Sequence, residues 1–168
     1  TLEVLVDNGI KFTILAPWQT KCPELDPRYP YLVKLSKGKS IAIFFYEREL
    51  STRVSFDSET TRNADLFVSK ILLGKYDDDK EGKDQIILLA SDGELYGHHK
   101  PFREKFLAYL LEKSLSPSGI EVTYPAKWLR EHPANEYIKI KDRTSWSCEH
   151  GDERWKGPCG CSSNGAWK

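Results

Sequence analysis

Two short runs of consecutive apolar residues constrain the fold of this chain more than any other feature. They occupy residues 41–46 and 86–90, and neither run alternates with polar residues. Strands covered on both faces have this pattern, because neither face of the strand meets water. Such strands occur mainly in parallel sheets that carry helices on both faces. The two runs therefore predict an α/β fold.

The segments around these runs favour the same fold class. Further strands are predicted at residues 11–16 and 137–140. Apolar residues at helical spacing predict helices at residues 1–8, 64–72 and 102–116, and a further short helix is predicted at residues 125–132. Strands that alternate with helices indicate a parallel sheet with right-handed crossovers, either open or closed into a barrel. A length of 168 residues predicts one hydrophobic core.

A dense polar cluster follows the second apolar run. Asp92, Glu94, Tyr96, His98 and His99 occur within eight residues, with glycines between them. In parallel α/β proteins the ligand site lies just beyond the carboxyl ends of the strands. The cluster is therefore a candidate active site with Asp92 as its first member. The alternative is a simple polar turn, which also favours aspartate and glycine after a strand.

Aromatic and polar residues elsewhere are candidates for binding a sugar. Trp18 and Gln19 follow the strand at 11–16 and begin a proline-rich irregular segment, and Tyr46 ends the first apolar run. Trp146 and Trp155 lie in the tail, where they would stack on pyranose rings or pack in the protein. Residues 47–49 are charged and form either part of a site or a solvated turn. The charged run at 77–83 predicts a solvated loop, since it lacks the ligand spacing of a calcium loop.

The tail contains three of the four cysteines and one of the four histidines. They form the pairs Cys148-x-His150 and Cys159-x-Cys161, separated by eight residues. Structural zinc sites normally use pairs with two to four residues between ligands. The spacing therefore makes these four residues weak metal candidates, and we predict no metal. A redox pair and a packing or active-site role stay open, because free cysteines are often small buried apolar residues.

Charge and hydropathy limit the partners of the chain. Lysine and arginine together number 25, as do aspartate and glutamate, and the basic residues are scattered. This distribution predicts no nucleic-acid partner. No apolar run approaches the ~20 residues of a membrane span and no signal-peptide pattern occurs, so we predict no membrane and a cytoplasmic location. The sequence begins with Thr1 and contains no methionine, so we expect a fragment truncated at both ends.

Four separated motifs resemble glycoside hydrolase family 57. They are the opening residues 1–17, the apolar strand at 41–46, the sequence Ala-Ser-Asp-Gly-Glu-Leu-Tyr-Gly-His-His at 90–99, and residues 144–161 from Thr-Ser-Trp-Ser-Cys to Cys-Gly-Cys. The chain is most similar to the branch of α-amylase/α-mannosidase-like proteins that carry an additional uncharacterised domain downstream.

The resemblance implies a fold, an activity and a role for Asp92. The fold would be part of an incomplete (β/α)7 barrel with parallel strands, and residues 1–168 would form the C-terminal part of that catalytic barrel. The activity would be that of a retaining glycoside hydrolase or transglycosylase acting on α-glucans, without a cofactor. Asp92 would be the general acid/base and Glu94 its polar neighbour. The nucleophilic glutamate would lie upstream of this sequence, so the fragment alone would be inactive.

A retaining mechanism places specific demands on Asp92. The two carboxyl groups lie roughly 5 Å apart, one attacking the anomeric carbon and the other protonating the leaving oxygen. Asp92 must therefore carry a proton when substrate binds, and we expect burial by the preceding strand and a nearby carboxylate to raise its pKa. Tyr96, His98 and His99 would bind sugar hydroxyls.

Two other functions remain open from the sequence. In a metal-dependent deacetylase or α-mannosidase-like hydrolase, Asp92, His98 and His99 would hold zinc or another divalent ion, although adjacent histidines seldom reach the same ion. In a non-catalytic carbohydrate-binding module, the same aromatic residues would bind sugar without chemistry.

Overall fold

The structure, a computed structural model, describes residues 1–76, 82–157 and 159–161. The chain divides into a first unit, residues 1–45 with 134–168, and a second unit, residues 46–133. The strands and α-helices, in chain order, are α1 (Leu2–Asp7), β1 (Phe12–Leu15), β2 (Tyr31–Lys34), β3 (Ser40–Phe45), α2 (Arg48–Phe56), α3 (Ala64–Phe67), α4 (Arg103–Tyr109), α5 (Pro125–Glu131) and α6 (Glu153–Lys156). No helix in the described part of the chain is long and apolar enough to cross a bilayer.

The first unit contains a three-stranded sheet in the order β1-β3-β2. Strand β3 is its centre, and the five residues from Ile41 to Phe45 are all buried. This confirms the strand predicted from the first apolar run and its burial on both faces. One face packs against apolar residues of α1 and of the segment 138–140. The centre of the sheet is therefore the centre of the first core.

The prediction of an entirely parallel sheet is wrong for β2. Strand β1 pairs with β3 in parallel, but β2 pairs with β3 in antiparallel register, with Tyr31 opposite Ile43. The connection between the two strands turns at Lys37 and Gly38, and both residues have positive φ. Only residues 35–39 connect the two strands, which is too short for the crossover of a dozen or more residues that parallel strands need. The fold is α/β, with a mixed sheet.

Two predicted strands do not form as regular strands. Within residues 86–90, the Leu88 carbonyl accepts a hydrogen bond from the Glu47 N–H at 2.8 Å, but Ala90 N–H donates to the Ser51 hydroxyl instead of to a backbone carbonyl. This segment therefore has no ladder of backbone hydrogen bonds with the part of the chain that the structure describes. Residues 137–140 make isolated bridges to two different segments, Leu32 with Tyr137 and Thr20 with Ile140. The change of partner prevents a continuous strand.

The second unit is helical and has its own core, so the prediction of a single core is wrong. Its buried residues come from α2, α3 and α4 and the turns that extend them: Leu50, Val54, Ala64, Phe67, Val68, Leu72, Phe106, Leu110 and Leu115. The three strands of the first unit bury their apolar face against α1 and neighbouring loops, whereas these helices bury their apolar faces against one another.

The helices predicted at residues 1–8, 64–72, 102–116 and 125–132 are confirmed, with differences at their ends. Helix α3 continues as a π-helix over Val68–Leu72 and a 3-10 turn over Leu73–Lys75, and α4 continues as a π-helix over Leu110–Ser114. The N-cap of α3 is Asn63, whose side chain accepts from Leu66 N–H at 3.0 Å. Of the charged run predicted to be a solvated loop, residues 77–81 lie outside the described residues.

Candidate functional site

The polar cluster after the second apolar run forms a tight turn, which we call the acidic turn (residues 92–100). Asp92 precedes a 3-10 turn at Gly93–Leu95, and its carbonyl accepts from Leu95 N–H at 3.1 Å. The Asp92 side chain makes no capping hydrogen bond and is exposed. The predicted burial of Asp92 is therefore wrong for the described residues, because the preceding Leu89 and Ala90 are themselves exposed.

Glu94 and the two histidines lie on the same turn. The His99 N–H donates to the Glu94 carbonyl at 2.8 Å, and the His99 Nε2 lies 3.9 Å from Glu94 Oε2. The rings of His98 and His99 are 4.7 Å apart between centroids. Gly97 has a φ of 110°, which side chains rarely tolerate. The turn thus presents one carboxylate and two imidazoles to solvent close to Asp92 in sequence.

Contacts at the base of the acidic turn hold it on the second unit. The Tyr96 hydroxyl hydrogen-bonds the Ser91 hydroxyl at 3.0 Å, so Tyr96 acts within the turn. The Lys100 ammonium donates to the Val54 carbonyl near the end of α2 at 3.2 Å. Buried Ser51 accepts from Ala90 N–H at 3.1 Å. The turn is therefore anchored to α2 from both sides.

The charged residues after β3 begin a helix, and neither of the two predictions for them included one. Glu47 is the N-cap of α2, and its carboxylate accepts from Leu50 N–H at 2.5 Å. The Lys75 ammonium contacts the carboxylates of both Glu47 and Glu49. Burial opposes the charge on Lys75, but its hydrogen bonds with Glu49 and Glu47 outweigh burial and raise its pKa. Tyr46, directly before this cap, is half-buried.

Sequence reasoning missed Ser51 and Lys100 as supports of the turn. A lone serine inside a helix gives no signal by itself. A helix over 48–56 is nevertheless indicated by two features of the sequence. Leu50 and Val54 are one helical turn apart, and the acidic Glu47 lies three positions before Leu50, where a cap is expected.

In the first unit, Trp18 and Gln19 lie on a 3-10 turn at Pro17–Gln19 and both bind the tail. The Trp18 Nε1–H donates to the Ser145 carbonyl at 2.8 Å. The buried Gln19 amide accepts from Ala16 N–H at 2.9 Å and donates to the Thr144 hydroxyl at 2.9 Å. The Gln19 amide is thus engaged inside the protein, and the Trp18 ring is fixed at its nitrogen.

Gln19 also lines an open cleft of about 1150 Å³ in the first unit. Sites for small ligands usually measure about 300–1000 Å³. Five cationic side chains lie around the cleft, from Lys21, Lys34, Lys139, Lys141 and Arg143. Trp146 and Trp155 are 69% and 68% exposed. Neither tryptophan lines this cleft.

The four weak metal candidates converge in the tail of the first unit. The Sγ atom of Cys148 lies 3.1 Å from Cys161 Sγ and 3.6 Å from Cys159 Sγ, and His150 Nδ1 lies 3.0 Å from Cys161 Sγ. All four ligand atoms fall within 4.8 Å of one another. The one-residue spacing, which argued against a shared site, therefore does not separate them. Gly160, at a φ of 76°, reverses the chain between Cys159 and Cys161.

Crowding changes the thiol acidities in this cluster. Hydrogen bonding with Cys148, followed by burial, raises the pKa of Cys161 to about 12. A backbone hydrogen bond from Cys161 and a side-chain bond from Cys148 lower the pKa of Cys159. By contrast, Asp92, His98 and His99 do not form a metal-binding group among the described residues. The geometry thus gives no support to the metal-dependent hydrolase that uses them.

Comparison with known proteins assigns most of the chain to a known family. The model of glycosyl hydrolase family 57 matches residues 1–141. Among curated proteins, no sequence matches the chain. The family predicted from the four motifs is thus confirmed.

Solved structures share the fold. A GH57-type branching enzyme from Pyrococcus horikoshii has a TM-score of 0.74 and 20% identity, over 94% of this chain and 37% of that one. A GH57 branching enzyme from Thermococcus kodakaraensis has a TM-score of 0.74 and 18% identity, over 92% and 38%. An exo-type maltose-forming amylase from Pyrococcus sp. ST04 has a TM-score of 0.66 and 22% identity, over 92% and 26%. The chain spans well under half the length of these enzymes. From the match over most of its sequence, the chain belongs to glycosyl hydrolase family 57.

Proposed function

We propose that the full-length protein is a retaining glycosidase or transglycosylase that acts on α-glucans, and that this chain supplies its general acid/base, Asp92. The family match over residues 1–141, which includes the acidic turn, carries the proposal. The structural neighbours are branching enzymes and a maltose-forming amylase, which supports an α-glucan as substrate. The chain would be the C-terminal part of an incomplete (β/α)7 barrel.

The position of Asp92 suits a group that must reach a substrate. Its backbone closes the 3-10 turn at Gly93–Leu95, while its carboxyl group makes no capping bond. The group is therefore free to donate a proton to a leaving oxygen and later to remove one from water or from an acceptor sugar. Because Asp92 is exposed, a second carboxylate and the bound substrate would have to complete the site around it. In this proposal the second carboxylate is the upstream nucleophile.

The other candidate residues would bind the sugar. Glu94, His98 and His99 face solvent on the acidic turn and would accept or donate hydrogen bonds to hydroxyl groups. Tyr96 and Tyr46 are half-buried and would contact sugar at the rim.

The tryptophans would bind by a different interaction. Trp146 and Trp155 have the exposed faces that stacking on a pyranose requires. Trp18 offers a ring that its bond to Ser145 orients, and Gln19 would act by holding this loop, since its amide is already engaged.

Trapping of the covalent intermediate tests the proposal. The full-length protein is incubated with a fluorinated α-glucosyl fluoride. This reagent forms the glycosyl-enzyme faster than water hydrolyses that intermediate, so the intermediate accumulates. We expect one glycosyl group per chain on a glutamate, and turnover of amylose by untreated protein. Absence of both trapping and turnover would contradict the retaining mechanism and favour a carbohydrate-binding role. The products formed from amylose separate hydrolysis from transfer, because hydrolysis increases the number of reducing ends and transfer redistributes chain lengths.

A further inference from the structure

We propose that Cys148, His150, Cys159 and Cys161 bind one zinc ion in a structural site. In a tetrahedral site, Zn–S bonds of about 2.3 Å place sulfur atoms about 3.8 Å apart. The distances between neighbouring ligand atoms run from 3.0 to 3.7 Å, so a small outward movement accommodates the ion. Three thiolates and one imidazole are ligands that zinc prefers.

The backbone around the ligands is built for close approach, and we call residues 145–161 the knuckle. Gly151 N–H donates to the Cys148 carbonyl at 3.1 Å, which closes a turn over the first ligand pair. A Cβ atom at Gly151 would lie 2.2 Å from the Arg143 carbonyl oxygen. Gly160 lies between Cys159 and Cys161, and its positive φ lets the chain turn there. Two glycine turns thus bring both ligand pairs to one point in spite of their short spacing.

A disulfide explains the cluster less well. The shortest sulfur–sulfur distance is 3.1 Å, whereas a disulfide measures about 2.05 Å, and all four cysteines are free. Pairing two of the three clustered cysteines would leave the third beside an imidazole. Zinc binding uses all four groups and releases the protons of the thiols.

The proposed ion would have a defined structural task. With four protein ligands, no position stays open for water or substrate, which is typical of structural sites. The knuckle continues from Thr144 and Ser145, which bind Gln19 and Trp18. Zinc would therefore hold the tail against the loop that carries Trp18.

Metal content tests the site directly. The full-length protein is purified without a tag, under reducing conditions, from zinc-supplemented cells. Elemental mass spectrometry should then find about one zinc ion per chain. Cys148→Ser and Cys161→Ser should lower zinc affinity by about 100-fold or more, and zinc content with it, because loss of a direct ligand exceeds the 10- to 100-fold effect of outer contacts on affinity. Cys22→Ser is the matched control, since Cys22 is a free cysteine outside the cluster, and it should retain the metal.

A second measurement keeps the test informative if a serine variant does not fold. Wild-type protein is stripped with a chelator and loaded with Co²⁺ alone. We expect a thiolate-to-cobalt charge-transfer band, an altered band in His150→Cys, which converts the site to four cysteines, and an unaltered band in His98→Ala. Wild-type protein without zinc, with iron in its place, with a disulfide among the three cysteines, or without the cobalt band would overturn the proposal. Equal zinc in Cys148→Ser and Cys22→Ser would do the same.

Discussion

The acidic turn and the knuckle each carry a cluster of chemically active side chains, and they are built in opposite ways. In the acidic turn the backbone is tied down, while the carboxylates and imidazoles extend into solvent. In the knuckle the side chains converge on one another, and Cys148 is 2% exposed. Groups that must meet a substrate need access, whereas ligands of a structural ion must close around it. The difference agrees with the two proposals, which assign chemistry to the first site and structural support to the second.

The largest expected effect comes from Asp92→Asn in the full-length protein. Loss of the general acid/base should lower kcat on amylose by about 10²- to 10⁴-fold. The melting temperature should stay unchanged, because the side chain is exposed and caps nothing. Asp142→Asn, an exposed aspartate of the first unit, is the control and should retain full turnover. Near-normal turnover of Asp92→Asn would contradict a chemical role for the acidic turn, and with it the contrast with the knuckle.

Gly151→Ala should have the next largest effect, which is a loss in the free energy of unfolding. Its φ of 66° alone disfavours alanine by about 1 kcal/mol. The clash with the Arg143 carbonyl should increase the loss to about 3 kcal/mol. Gly160→Ala is matched, since it has φ of 76° but no atom within 4 Å of its Cβ, and should lose only the smaller amount. Chemical denaturation measures both, and equal losses would show that the knuckle is not closely packed.

Ser51→Ala tests how α2 supports the acidic turn. The substitution removes the acceptor of the Ala90 N–H and a donor to the Glu47 carbonyl, so we expect a loss of about 1 kcal/mol. Hydrogen exchange at Ala90 should accelerate, while exchange in the knuckle should not change. Ser69→Ala, which removes a bond from an exposed serine to Asp65, is the control. Unchanged exchange at Ala90 would mean that the turn does not depend on this anchor.

The smallest expected effect concerns acid stability of the loop after α2. A hydrogen bond from Thr60 and a second from Glu59 N–H lower the pKa of Asp57 below its usual 3.8. A carboxyl whose pKa is lower in the folded state stabilises the fold above its unfolded pKa, and this contribution disappears as pH falls through the folded value. Asp57→Asn should therefore reduce stability slightly at pH 7 and flatten its decline below about pH 4. If the stability of Asp57→Asn declines below pH 4 as steeply as that of the wild type, other carboxyl groups are responsible for the acid sensitivity.

The sequence predicted the elements whose partners are local or whose burial is complete. Strand β3 and the helices at 64–72 and 125–132 follow from apolar spacing alone. Residues 86–90 form a continuous apolar run, as residues 41–45 of β3 do, but they lack a ladder partner among the described residues, and apolar character does not encode partners. Strand β2 was missed because the proline-rich segment predicted to be irregular covers residues 17–31, and no strand was predicted directly after it.

Prediction of the sites had a similar limit. Asp92 and its neighbours are contiguous, so their grouping was visible in the sequence. The convergence of Cys148 with Cys159 and Cys161 depends on two glycine turns and on the approach of Gly151 to Arg143. Spacing rules describe average turns, and these turns are tighter. The knuckle therefore became visible only in three dimensions.

Rescue of Asp92→Ala by azide tests the role of Asp92 most directly. The full-length variant is given a dinitrophenyl α-glucoside, whose leaving group needs no protonation, so that the glycosyl-enzyme forms and then accumulates for lack of a base. We predict that added azide restores turnover and yields an α-glucosyl azide, because azide attacks without deprotonation and the anomeric configuration is retained. Unimpaired turnover without azide, or formation of the β-azide, would contradict the assignment of Asp92 as the acid/base of a retaining enzyme.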